Sequence, residues 1–177
     1  MTNSCNGIFL DRDGVINEKR DDYVKSTFEL KIFPYVAQAI KKFHELGFIV
    51  IVITNQSVIN RGIITDKQLE KIHDEIQENL ELSGTKIEAF YYCPHTPEES
   101  CSCRKPKTGL ILQAVSDWNI NLDSSWFFGD SESDVIAGRS AGCKTVKITN
   151  DHNLLDAVAY IGALDNYIND KDDNTSK

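Results

Sequence analysis

Ile8-Phe9-Leu10-Asp11-Arg12-Asp13-Gly14 starts with three apolar residues, ends on a glycine and carries two carboxylates between them. The apolar run reads as a short buried strand, and the glycine as the turn that leaves it. The same pattern returns along the chain. Phe48 to Ile53 is continuously apolar and β-branched, as a strand covered on both faces requires, and it runs into Thr54-Asn55-Gln56-Ser57. Trp126-Phe127-Phe128 runs into Gly129-Asp130, and Ile87 to Tyr92 and Thr145 to Ile148 read as two further strands. Between them lie helical stripes. Val36, Ala39, Ile40, Phe43 and Leu46 recur at threes and fours up to Gly47. Leu69, Ile72, Ile76 and Leu80 follow a Thr65/Gln68 capping box, Leu110, Ile111, Ala114, Val115 and Trp118 mark a third helix, and a fourth starts near Ser133. Strands alternating with helices predict an α/β domain, a parallel sheet with helices on both faces. Right-handed crossovers then gather the carboxyl ends of the strands, with Asp11, Thr54, Cys93 and Asp130, on the edge where such folds bind ligands.

The 177 residues fit one domain, expected over 1–165, with a polar, frayed tail over 166–177. Hydrophobic content of 41% and charged content of 26% are those of a globular protein. The formal net charge of −8 argues against a face built for nucleic acid or anionic lipid, and so against those partners. An anionic small substrate remains compatible, since a few local cations outweigh a distant acidic surface. No stretch approaches the roughly 20 apolar residues of a membrane span, and Met1 to Gly7 lacks the apolar centre of a signal peptide. A cytoplasmic monomer is the expectation. Three of the five cysteines fall within eleven residues, which in a reducing compartment suggests a metal site.

Asp11 and Asp13, two apart beyond a buried strand, can face one pocket if the chain turns at Gly14. One carboxylate can attack phosphorus, and the other can give a proton to the leaving oxygen and later take one from water. A solvated acidic turn is the bland alternative. A calcium loop is not, because it needs glycine at its sixth position and a preceding helix. Gly129-Asp130-Ser131-Glu132-Ser133-Asp134 is a second acidic cluster at a strand end, and carboxylates from two strand ends suffice for Mg²⁺. Asp130 is the better ligand; Asp134 fits a helix start equally well. Thr54 and Lys105 are the hydroxyl and cation available to a phosphoryl group, whose transfer is mostly positioning and neutralisation of charge. Cys93, His95, Cys101 and Cys103 make a closed tetrahedral Zn²⁺ set that would pin the loop carrying Arg104 and Lys105. Surface thiols and a redox pair are the competing readings. His44, His73 and His152 read as solvated, and Trp118 and Trp126 as core.

In this order, Asp11-x-Asp13-Gly14, Thr54-Asn55-Gln56-Ser57, Arg104-Lys105-Pro106 and Gly129-Asp130-x-x-x-Asp134 resemble the haloacid dehalogenase (HAD) superfamily. The finer likeness, over roughly residues 7–150, is to its histidinol-phosphatase and heptose-bisphosphate phosphatase branch. That resemblance implies a Rossmann-like core without a large cap domain and an aspartyl-phosphate on Asp11, with Asp13 as acid/base. It implies Mg²⁺ held by Asp11, the backbone carbonyl of Asp13 and Asp130, and a similar structural zinc loop. It makes Thr54 and Lys105 phosphoryl stabilisers and Arg104 a substrate contact. Arg20, Asp21, Asp22 and Tyr23 align with substrate contacts, and Asn55, Gln56, Ser57 and Arg61 are expected there too. Asn60-Arg61-Gly62 and the loop cations favour a sugar bisphosphate, the 7-phosphate of a heptose 1,7-bisphosphate. Histidinol phosphate, with its amine, is the alternative. The short zinc loop, shared with the histidinol enzymes, and Ser131, where some relatives carry a basic residue, are departures. A polynucleotide 3′-phosphatase and a non-catalytic zinc-stabilised module are more distant readings.

Overall fold

The structure, a computed structural model, describes residues 4–161; the tail expected over 166–177 lies outside them. Among the described residues the strands are β1 (Cys5–Leu10), β2 (Phe48–Asn55), β3 (Ala89–Cys93), β4 (Ile120–Gly129) and β5 (Lys144–Lys147), and helices packed on them are α1 (Val36–Glu45), α2 (Asp66–Leu82), α3 (Gly109–Trp118) and α4 (Glu132–Ala141). All pairings are parallel, in the order β3-β2-β1-β4-β5. This is the parallel sheet the alternation predicted and the Rossmann-like core the resemblance implied.

Side-chain alternation along the central strands feeds two cores. Ile8 and Leu10 of β1, Val50 and Val52 of β2, and Trp126 and Phe128 of β4 pack on one face with Val36, Ala39, Ile40 and Phe43 of α1. Phe9, Ile51, Ile53 and Phe127 pack on the other with Leu110, Ile111 and Ala114 of α3 and Ala137 of α4. Because both faces are covered, the strands read as continuous apolar runs rather than alternating ones.

Strand order turns at β1, which lies between β2 and β4, so the crevice past its carboxyl end is the switch point of the fold. Asp11 and Asp130 both follow strands that meet there. No cap domain is inserted among the described residues; the connections after β1 and β3 carry only single 3₁₀ turns, Thr27–Glu29 and Pro97–Glu99.

Some expectations differ in detail. β4 begins at Ile120, six residues before the aromatic run, and residues 154–161 are helical, with Leu154, Ala157, Val158 and Ile161 buried. Trp126 is core, whereas Trp118 lies at the surface with its indole N–H donated to Tyr91 Oη at 3.2 Å. His44 is not simply solvated: its ring nitrogens lie 3.1 Å from Thr85 Oγ1 and 3.3 Å from Glu88 Oε2. His73 is buried, its ring stacked on Phe90 at 4.6 Å.

Candidate active site

The edge at the switch point is a cluster of charges. Lys105 Nζ, on an almost completely buried side chain, lies 2.9 Å from Asp11 Oδ1 and 2.7 Å from Asp134 Oδ1, and donates to the Ile53 carbonyl at 2.7 Å. An ammonium has three N–H groups, and all three have a partner here. Burial alone would lower the Lys105 pKa, but the two carboxylates raise it above the ordinary value. Burial pushes Asp11 up to about 6, against the pull of Lys105 and with help from Asp134 and Asp13. Asp134 does both things its position allowed. Its Oδ2 accepts from Ser131 N at 3.0 Å and from the Ser131 hydroxyl at 2.6 Å, capping α4, while its Oδ1 faces Lys105.

Asp11, Asp130 and Asp134 each offer a carboxylate oxygen, all within 4.8 Å of one another. Asp130 Oδ2 is paired with Lys19 Nζ at 2.6 Å, while Asp130 Oδ1 is buried without a hydrogen-bond partner among the described residues. A buried, unpaired carboxylate oxygen beside two more carboxylates fits a hard divalent cation such as Mg²⁺. Gly14 makes the approach possible. Its φ is +86°, and a Cβ there would lie 2.5 Å from Asp130 Oδ2.

The Asp13 side chain stands apart from these three carboxylates. Arg12 Nη2 donates to both its oxygens at 2.9 and 2.8 Å, Asn17 Nδ2 to Oδ1 at 2.9 Å, and Gln56 Nε2 to Oδ2 at 2.9 Å. Burial would raise the Asp13 pKa, but the Arg12 charge and these hydrogen bonds hold it below the ordinary carboxylate range. Gln56 Nε2 also donates to Thr54 Oγ1 at 2.9 Å, leaving the Thr54 hydroxyl hydrogen to point at a ligand. Arg12, Asn17 and this bridging role of Gln56 went unread, while Lys19, one of the expected loop cations, is engaged by Asp130. A lone arginine between two aspartates looks like a solvated charge, and no period marks a loop residue as buried.

A cavity of about 420 Å³ opens over this edge, lined among others by Asp11, Asp13, Thr54, Asn55, Lys105 and Asp130. Of the expected substrate contacts, Arg20, Asp21, Tyr23, Asn55 and Arg104 line it; Asp22, Gln56, Ser57 and Arg61 do not. Arg20 is drawn to Asp22, 3.0 Å away, and towards Glu29 at 3.8 Å. Tyr23 sits at φ 67°, in the left-handed region an aromatic residue rarely enters, which marks local strain at the cavity wall. Asn55 clasps Lys105 by two hydrogen bonds to its backbone, at 3.0 and 3.1 Å.

Cys93, His95, Cys101 and Cys103 converge at the base of the loop that carries Arg104 and Lys105. Their sulfurs and His95 Nδ1 lie 3.0 to 3.6 Å apart in the contacting pairs, and all four donors fall within 4.8 Å. Three thiols and an imidazole nitrogen at this spacing fit a closed tetrahedral Zn²⁺ site. Burial acts to raise the Cys101 thiol, yet the Arg104 N–H and the neighbouring thiols lower it to about 6. Arg104 Nη1 donates to the His95 carbonyl at 3.0 Å, so the cluster and the cavity wall share a strut.

A partly buried aspartate paired with a buried lysine, beside further carboxylates at the switch point of a parallel α/β sheet, is the arrangement that the resemblance to the HAD phosphatases implied. Comparison with known proteins narrows this. Residues 8–161 match the family described as polynucleotide kinase 3 phosphatase. The D-glycero-beta-D-manno-heptose-1,7-bisphosphate 7-phosphatase of Helicobacter pylori strain J99 is 42% identical over 81% of this chain and 83% of its own length. Its counterpart in Pseudomonas aeruginosa is 39% identical over 80% and 79%. Among solved structures, the D,D-heptose 1,7-bisphosphate phosphatase of B. bronchiseptica, complexed with magnesium and phosphate, superposes with a TM-score of 0.82 at 29% identity, covering 88% of this chain and 97% of that one. The chain belongs to this family of HAD phosphatases, on the branch of the heptose-1,7-bisphosphate 7-phosphatases.

Proposed function

We propose that this protein removes the 7-phosphate of a D-glycero-D-manno-heptose 1,7-bisphosphate through an aspartyl-phosphate on Asp11, as a cytoplasmic, monomeric enzyme. The observation that carries the chemistry is Asp11 itself, a partly buried carboxylate 2.9 Å from the buried Lys105, at the carboxyl end of the central strand and open to the cavity. The likeness to heptose-bisphosphate phosphatases carries the substrate.

In the first half-reaction an Asp11 oxygen attacks phosphorus, the bond to the sugar oxygen breaks, and that oxygen receives the proton that Asp13 took from water in the preceding hydrolysis. In the second, Asp13 takes a proton from water as it attacks the aspartyl-phosphate, releasing inorganic phosphate and restoring Asp11. Thr54 donates its hydroxyl hydrogen to a phosphoryl oxygen, and Lys105 offsets negative charge along the path. Asp11, Asp130 and the backbone carbonyl of Asp13 would hold a Mg²⁺, which supplies neutralisation of charge on the transferred phosphoryl. Cys93, His95, Cys101 and Cys103 would hold a structural Zn²⁺. Arg104 on the wall contacts the phosphate that is not cleaved, with Arg20, Asp21, Tyr23 and Asn55 shaping the remaining contacts. A polynucleotide end fits less well, since the net charge is −8 and offers no basic tract.

Asp11→Asn keeps the shape and removes the attacking charge. Turnover should vanish with the circular dichroism and melting of the fold intact, and beryllium fluoride, which mimics the aspartyl-phosphate, should bind only the wild type. An active Asp11→Asn protein would overturn the mechanism.

A further inference from the structure

We propose that Arg12 is the positioning residue for Asp13, holding the acid/base carboxylate in one orientation for both proton transfers; this rests on the acid/base reading of Asp13 given above. Among the described residues Arg12 is the largest fully buried side chain, at 0% exposure. An ionised guanidinium out of water is costly and persists where its pairing serves a purpose. Its pairing is specific. One nitrogen, Nη2, reaches both oxygens of Asp13 at 2.9 and 2.8 Å, and Nε adds a longer contact to Oδ1 at 3.3 Å. A carboxylate gripped at both oxygens by a planar fork loses its freedom to rotate about the Cβ–Cγ bond. Asn17 and Gln56 complete the grip from two other directions.

Beyond Asp13 the guanidinium has little to hold it: its Nη1 is buried without a hydrogen-bond partner among the described residues, and its charge acts on the buried His73 of α2, whose ring stacks on Phe90. Gly14 N to the Asn17 carbonyl at 2.8 Å and Ile16 N to the Arg12 carbonyl at 2.8 Å close the turn beneath the pair. The segment that bears the nucleophile therefore builds its own scaffold for the acid/base. The alternation buried Arg12, cavity-facing Asp11 and Asp13 follows from the turn and not from strand periodicity.

Loss of positioning has a kinetic signature that loss of structure lacks. Arg12→Met, of similar length and apolar, and Arg12→Lys, which keeps the charge without the fork, should each lower kcat on the natural alkyl phosphate by 10- to 100-fold, with KM within twofold of wild type. An aryl phosphate with a good leaving group needs no proton on its departing oxygen. With p-nitrophenyl phosphate the first half-reaction should keep its rate and the second should not, so both variants should show a burst of one nitrophenolate per site followed by slow turnover. Adding Arg12→Met to Asp13→Asn should cost no more than twofold beyond Asp13→Asn alone. A variant that loses the burst, or a double variant ten times slower than Asp13→Asn, would show that Arg12 acts through the fold or through Asp11. Arg12→Met and Arg12→Lys at wild-type turnover would dismiss it outright. Full turnover by Asp13→Asn alone would instead remove the acid/base reading on which the inference stands, and the two failures are thus told apart.

Discussion

His73 shows at the scale of one residue how a fold sets a side chain's chemistry. It lies beside the apolar stripe of α2, 7% exposed, with its ring against Phe90. Burial, reinforced by the Arg12 charge, lowers its pKa to about 3. The unfolded chain takes up a proton on this imidazole near pH 6.5, the folded chain only near 3. The unfolded state thus binds more protons between those values, and the contribution of His73 to stability is complete above pH 6.5 and lost as the pH falls towards 3. His73→Phe keeps a ring on Phe90 and removes the titration. In urea unfolding, wild type should lose about 2 kcal/mol more than the variant between pH 7 and pH 5, from roughly 1.4 kcal/mol per pH unit for one proton. Parallel stability curves would mean that the imidazole is not held neutral. Asp11 and Lys105 present the same principle with partners. Lys105 is buried and Asp11 largely so, and each has a charge of opposite sign within 3 Å.

At the scale of elements, the loop from Cys93 to Lys105 is the one whose form a metal would decide. Zinc sites in small peptides supply on the order of 10 kcal/mol or more of folding free energy. The parallel sheet has its own two cores, so here that free energy acts on the loop and on the strut between Arg104 and His95. Elemental analysis of protein purified without chelator should find one zinc per chain, and Cys101→Ser should lose most of it. That variant should keep its far-ultraviolet circular dichroism while kcat/KM drops at least tenfold. Zinc-free wild type with full activity would sink the proposal. The cluster was legible in advance because metal ligands must come in close pairs, and β1, β2 and α1 were legible because burial on two faces or one writes a period into the sequence. The first half of β4 was not. Asn121, Asp123 and Ser124 bond to one another through the Asn121 side chain where the β1–β4 register shifts, and a stretch outside the ladder requires no apolar pattern. The helical turns at 154–161 did leave signals, Leu154, Ala157, Val158 and Ile161 at helical spacing and Asn153 as N-cap, whose Oδ1 accepts from Leu155 N and Asp156 N while Asp156 Oδ2 accepts from Asn153 N. Arg12 and Asn17 left none, since their burial follows from the tertiary turn around Gly14.

On the scale of the whole molecule, an excess of eight negative charges has to coexist with a doubly phosphorylated substrate. Steering by the overall field is unfavourable, so binding depends on which wall cations still have donors to offer. Lys105 has all three engaged, Lys19 is on Asp130, and Arg20 is drawn to Asp22 and Glu29. Arg104 uses one N–H of its five on the His95 carbonyl, and its guanidinium lines the cavity. Arg61, exposed and outside the cavity lining, is a weaker choice than its place in the sequence suggested. A bidentate guanidinium–phosphate contact is roughly twice as strong as a neutral hydrogen bond. Arg104→Ala should therefore lower kcat/KM for the heptose bisphosphate by 10- to 100-fold, and by less than threefold for a monophosphate without the distal group. For histidinol phosphate, whose distal amine is repelled by a guanidinium, the same change should be neutral or favourable. High salt should weaken the bisphosphate reaction of wild type more than that of Arg104→Ala, because the contact removed is ionic. Equal losses on all three substrates would place Arg104 in the support of the loop instead. A wild type that prefers histidinol phosphate tenfold, about 1.4 kcal/mol of discrimination in the transition state, would show that the cavity selects an amine and that the bisphosphate is not its substrate.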